Sequence, residues 1–141
     1  MEYGQLQLIK TIYLAGPMEN VGHEEMCEWR EYAKAILEPA GITCLDPTRR
    51  RHSFEQKVMK RIFELDMIDI RACDMVLVNL NNDQLPKHGT AMEVFYASYV
   101  LNKPVVAFKE NVKYHPFFES LVTEWRSSCE KACDTIVSQY L

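Results

Sequence analysis

Short runs of β-forming and apolar residues alternate along the chain with stretches whose apolar residues recur every three to four positions, and together they predict alternating strands and helices. Residues 7–14 (QLIKTIYL) are rich in β-formers and run into Ala15-Gly16-Pro17, a stop that suits a strand. Over residues 24–37 Met26, Trp29, Ala33, Ile36 and Leu37 recur at helical spacing with charges between them, and Pro39-Ala40-Gly41 closes that helix. A short apolar run at 42–45 precedes Asp46-Pro47 and a basic loop, Arg49-Arg50-Arg51-His52. The next helix is expected over 54–72, with Val58, Ile62, Leu65 and Ile68 or Asp69 along one face. Residues 74–80 are almost continuously apolar, as in a parallel strand covered on both faces, and predict the central strand. A polar loop at 81–88 leads to a helix over 91–101, ended by Asn102-Lys103-Pro104, and then to a strand at 105–108. Beyond a loop at 109–116, a helical turn at 117–121 and a brief strand at 122–125 are expected. The capping-box pattern Ser127-x-x-Glu130 opens a last helix over 128–140.

Strand and helix in strict alternation call for an α/β three-layer sandwich. Its five-stranded, mainly parallel sheet takes the flavodoxin-like order 2-1-3-4-5, the outcome of short right-handed crossovers. In such sheets ligands bind beyond the carboxyl ends of the strands, at the switch point between the first and third. Three polar clusters fall there: Gly16 to Asn20, Asp46 to Arg49, and Asn79 to Thr90.

With 141 residues the chain is expected to be a single domain, 1–141. A net charge of −4 argues against broad binding to nucleic acid and favours a small-molecule partner. The sequence lacks an apolar run long enough for a membrane span, and its start, Met1-Glu2-Tyr3-Gly4-Gln5, does not resemble a signal peptide; a cytoplasmic protein is expected. Five cysteines without CxxC spacing read as reduced packing residues, and four scattered histidines give no metal-ligand pattern. GxGxxG, the P-loop and GxSxG are absent, which disfavours dinucleotide, Walker-type and serine-hydrolase chemistry.

Glu93, within Gly89-Thr90-Ala91-Met92-Glu93, lies about one turn into the helix after the central strand. Two readings stay open at equal weight: a carboxylate aimed into the cleft, or one that only complements the helix dipole. Asp66 and Asp69 share a helix face at i and i+3. One of them reaches the cleft, or both belong to a solvated acidic face near Arg61 and Arg71, which spacing alone favours. Asp74 opens the central strand at its far end and reads as a turn residue. The arginine triplet suits an anion, with a solvated loop as the plainer reading for most of its members. Trp29 and Trp125 read as packing.

In order along the chain stand IYLAGP, WREYAKAILEPAGITCLDP, DMIDIRACDMVLVNL and GTAMEVFYASYVLNKPVV. Together they resemble the nucleoside 2-deoxyribosyltransferase family over residues 11 to about 108, with a weaker echo in His115-Pro116-Phe117. Relatives of this kind include transferases that move 2-deoxyribose between bases and nucleoside 5′-monophosphate N-glycosidases that pass the sugar to water. The resemblance implies Glu93 as nucleophile, Asp66 as the group that protonates or holds the departing base, and Tyr13 as the residue orienting the glutamate. Gly16, Pro17 and Met18 would form the loop beside sugar and base, and Asp46 would lie where the base is recognised.

Residue chemistry agrees with that implication, because breaking a glycosidic C–N bond gives C1′ oxocarbenium character that a carboxylate can stabilise or trap. Asp69 is the substitute for Asp66; Asn79, Gly89 and Thr90 complete the expected substrate-binding set. The chemistry requires no metal or organic cofactor. Lys87, six residues before Glu93, stands where transferases tend to have an acidic residue and the glycosidases a serine; its charge suits a phosphate. The first loop, Pro17-Met18-Glu19, lacks the Ser and Arg that grip phosphate in the glycosidases. Deoxyribosyl transfer therefore leads, with monophosphate hydrolysis behind it and a non-catalytic nucleotide-binding module as the third reading. Partners are expected to be a deoxynucleoside or deoxynucleotide and a free base, with no nucleic acid and no membrane. A homo-oligomer is expected, since relatives complete each pocket with a neighbour's residues.

Overall fold

Alternation along the first strand, β1 (Thr11–Ala15), decides what each face of the sheet carries: Ile12 and Leu14 enter one core layer, Tyr13 and Ala15 the other. The computed structural model describes residues 8–19, 21–50, 56–111 and 113–141; expectations at Gln7, Asn20, Arg51, His52 and Phe54 lie outside the described residues. The other strands are β2 (Thr43–Leu45), β3 (Met75–Asn79), β4 (Val105–Phe108) and β5 (Glu124–Arg126). They form one sheet in the predicted order β2-β1-β3-β4-β5, parallel at every pairing where a mainly parallel sheet was expected.

Helices α1 (His23–Leu37) and α5 (Cys129–Gln139) lie side by side over one face, where Ala33, Leu37, Ala132 and Ile136 meet Ile12, Leu14, Leu77 and Val106. Over the other face pack α2 (Gln56–Ala72) and α3 (His88–Phe95), with Ile70, Val94 and Ala97 against Tyr13, Val76, Val78 and Val105. A short helix, α4 (Pro116–Leu121), sits beside α3. Burial pushes the Cys44 thiol up to about 12 and that of Cys73 up to about 11, so both pack as neutral side chains.

Several boundaries differ from the sequence reading, each for a local reason. Gly89 argues against helix, yet α3 begins at His88, with the Ala91 N–H donating to the Lys87 carbonyl at 2.8 Å. The helix then widens into a π turn, Tyr96–Val100, and ends as Asn102 turns left-handed at φ 54°. Ser128, rather than Ser127, caps α5, its hydroxyl accepting from the Lys131 N–H at 3.1 Å. Asp74 is structural as expected: its Oδ2 accepts from the Lys10 and Thr11 N–H groups, both at 2.9 Å, tying the start of β3 to β1.

Candidate active site

Beyond the carboxyl end of β1 the chain turns at Gly16, and the first turns of α3, which follows β3, face that turn. Between them lies a hollow of about 340 Å³ lined by Gly16, Pro17, Met18, Glu19, Met59, Pro86, Gly89, Thr90 and Glu93. A second hollow of about 170 Å³ opens between α2 and α3, lined by Met59, Ile62, Phe63, Asp66, Met67, Gly89, Met92 and Glu93. Met59, Gly89 and Glu93 belong to both walls, so the two spaces adjoin at Glu93. This is the crevice that the strand order calls for.

Glu93 is 9% exposed, and its Oε2 accepts from the Tyr13 hydroxyl at 2.6 Å. The glutamate lies in the second turn of α3, beyond the first-turn reach of the helix dipole, so the dipole-only reading gives way to a side chain held from beneath by the sheet. Tyr13 is fully buried, and its pKa stands well above the ordinary 10.0: burial is the largest cause, followed by the charges of Glu93 and Asp66. The phenol therefore stays a hydrogen-bond donor. Gly16 is required by close approach, because a Cβ there would meet Trp29 Cζ2 at 3.0 Å and Asn79 Cβ at 3.3 Å.

Asp66 is 3% exposed and Asp69 9%, which corrects the solvated acidic face expected for them. Among the described residues their cationic partners are Arg49 and Arg50 from the turn after β2 (Pro47–Arg50), two members of the triplet read as a solvated loop, in place of Arg61 and Arg71. Asp66 opens on the second hollow; Asp69 lines neither.

Three further expected residues line neither hollow. Asp46 uses Oδ1 for the Thr48 N–H and hydroxyl, at 2.9 and 2.6 Å, and Oδ2 for the Lys34 ammonium at 2.7 Å. Asn79 caps the turn after β3 through the Asn81 N–H at 2.9 Å. Lys87 donates to the carbonyls of Asn82 at 2.6 Å and Leu85 at 3.4 Å, so its charge is turned into its own loop and not toward Glu93.

One residue that shapes the site was not singled out from sequence. Arg30, fully buried in α1, donates to the Leu14 and Gly16 carbonyls, both at 3.2 Å, and to the Met26 carbonyl at 2.7 Å. It fixes the turn that forms one wall of the larger hollow. The available signal was a charged residue four positions after Met26 on the apolar stripe of α1.

A family model for nucleoside 2-deoxyribosyltransferases matches residues 12–136. The chain belongs to that family. No curated protein matches the sequence. Among solved structures, the 2-deoxyribosyltransferase of Bacillus psychrosaccharolyticus superposes with a TM-score of 0.72 at 19% identity, covering 88% of this chain and 90% of its own. The 2-deoxyribosyltransferase of Leishmania mexicana gives 0.72 at 23%, covering 94% and 99%. A conserved protein of Enterococcus faecalis V583 gives 0.72 at 17%, again covering 94% and 99%. At these identities the superpositions establish a shared fold. In this member of the deoxyribosyltransferase family two carboxylates, Glu93 and Asp66, open on one apolar space, an arrangement suited to acting on both sides of a glycosidic bond. No helix among the described residues is long and apolar enough to cross a membrane.

Proposed function

We propose that this protein cleaves the N-glycosidic bond of a 2′-deoxynucleoside and transfers the deoxyribosyl group to another base through a Glu93-bound intermediate. The observation that carries the proposal is the placement of Glu93: buried, held at 2.6 Å by Tyr13, and shared by the walls of two adjoining hollows. The space lined by Gly16, Pro17 and Met18 suits the sugar, and the apolar gap between α2 and α3 suits a base. A Glu93 oxygen attacks C1′ as the C1′–N bond breaks, and the departing base takes a proton from Asp66. An incoming base then attacks C1′, frees the carboxylate and returns a proton to Asp66.

Incubating the protein with deoxynucleosides, with and without an acceptor base, tests this reading. New nucleoside formed only with acceptor supports transfer, whereas base released equally without acceptor overturns transfer in favour of hydrolysis. Repeating the assay with deoxynucleoside monophosphates tests the 5′ substituent; with Lys87 turned into its own loop, the neutral 5′-hydroxyl is the expected partner. Glu93→Ala should abolish turnover while leaving the fold intact, and an active Glu93→Ala protein would overturn the assignment.

The exposed apolar side chains Met92, Phe95, Tyr99 and Phe117, from α3, its π turn and α4, support a homo-oligomer in solution. Light scattering showing only monomer at assay concentrations would overturn that expectation.

A further inference from the structure

Arg50 joins the two buried aspartates of α2 through separate nitrogens: Nη1 lies 3.0 Å from Asp66 Oδ1 and Nη2 lies 2.9 Å from Asp69 Oδ2. Arg49 adds a second cation, with Nη2 at 2.7 Å from the same Asp69 oxygen. The Arg50 side chain is 18% exposed and that of Asp66 4%, so the pair is largely shielded from water. Arg50 follows β2, while Asp66 lies on the helix whose other residues form the wall of the second hollow. A planar guanidinium with two prongs fixes the direction of a carboxylate in a way that a flexible ammonium does not.

We infer that Arg50 is a positioning residue for the candidate acid Asp66, holding its carboxylate toward the base side of the site from the β2 turn. The inference rests on the functional reading above and deepens it. Asp69 serves as the second anchor of the clamp, which accounts for a buried aspartate that reaches neither hollow. By its charge, Arg50 also stabilises the anion left when Asp66 gives up its proton. Among the described residues, Arg49 and Asp69 within the clamp, Glu93 from α3 and Tyr13 from β1 also face this arrangement.

A double-mutant cycle on the full chain separates positioning from general structural support. Arg50→Gln should lower kcat/KM for deoxyribosyl transfer about 10- to 100-fold, and the limb of the pH profile carried by Asp66 should move to higher pH as its cation is lost. In the Asp66→Asn background the same substitution should cost less than about 3-fold, because the group it positions no longer titrates. Arg50→Lys keeps the charge but not the fork and should fall between wild type and Arg50→Gln; it also replaces Arg50→Gln in the cycle if that variant does not fold. Equal losses in the wild-type and Asp66→Asn backgrounds, or an unmoved pH limb, would overturn the role of Arg50 alone. Absence of transfer by the wild-type protein on every deoxynucleoside would instead remove the functional reading beneath it.

Discussion

The Tyr13 hydroxyl donates to Glu93 Oε2 at 2.6 Å across 80 residues of sequence, joining the middle of the first strand to the helix that follows the third. Neither residue can leave this bond without cost. Tyr13 is fully buried, and Glu93 has no more than a 9% opening to water.

Tyr13→Phe removes the donor and nothing else of the ring. Loss of a hydrogen bond to a buried charged group is expected to cost about 1.5–3 kcal/mol of stability, read from urea unfolding. Turnover should fall about 10- to 100-fold with KM changed far less, because the loosened group acts chiefly on the chemical step.

The raised pKa of Tyr13 adds a pH signature. In the unfolded chain the phenol ionises near 10.0, whereas in the folded protein it stays neutral to higher pH. Its contribution to stability is therefore complete below pH 10.0 and is lost as pH rises through the folded value. The stability gap between wild type and Tyr13→Phe should narrow as unfolding curves are taken upward from pH 10.0.

Asp46 gives the opposite sign. Burial by itself pushes its carboxyl up, but the hydrogen bonds from Lys34 and Thr48 outweigh that and hold it below the ordinary 3.8. Its stabilisation is present above pH 3.8 and is lost as pH falls through the folded value. Asp46→Asn should cost about 2–3 kcal/mol at neutral pH by taking the buried carboxylate from Lys34, which keeps only the exposed Glu31 at 3.3 Å. It should also flatten the acid branch of the stability curve below pH 3.8, a comparison that chemical denaturation at stepped pH makes directly.

Gly16→Ala tests the close approach behind the first wall. Its Cβ would stand 3.0 Å from a Trp29 ring carbon and 3.3 Å from Asn79 Cβ, so the turn must shift. Overpacking of this kind costs about 1–3 kcal/mol. Because the Gly16 carbonyl is also held by Arg30, activity should fall more steeply than thermal stability.

Met59 gives both hollows an apolar wall from α2. Met59→Ala should raise KM for the deoxynucleoside about 5-fold by removing part of that wall, with kcat within about 2-fold of wild type. A fall confined to kcat would contradict the placement of the substrate against α2.

Much of the fold was legible because strands buried on both faces carry little besides β-branched and other apolar residues, as in Met75-Val76-Leu77-Val78. The start of α3 at His88 was less legible, since local propensity at Gly89 points to loop while the tertiary setting places that glycine inside a helix. Of the candidate site, the turn at Gly16 follows from topology, whereas Tyr13 is singled out only by the family resemblance, and spacing alone leaves Glu93 with two readings. The partners of Asp66 did not follow. Helical spacing offered Arg61 and Arg71 on the same element, whereas the chain supplies Arg49 and Arg50 from another.

By itself, then, the pattern of residues determined which segments become strands and helices, their parallel order, and the crevice where chemistry would sit, because each of these depends on local periodicity and short connections. Only the tertiary structure decided which charges meet. It turned Lys87 into its own loop, closed Asp46 onto Lys34 and Thr48, and set Arg50 between Asp66 and Asp69. Ion pairing depends on distances of a few ångströms between segments far apart in the chain, and buried charges must find partners wherever packing brings them.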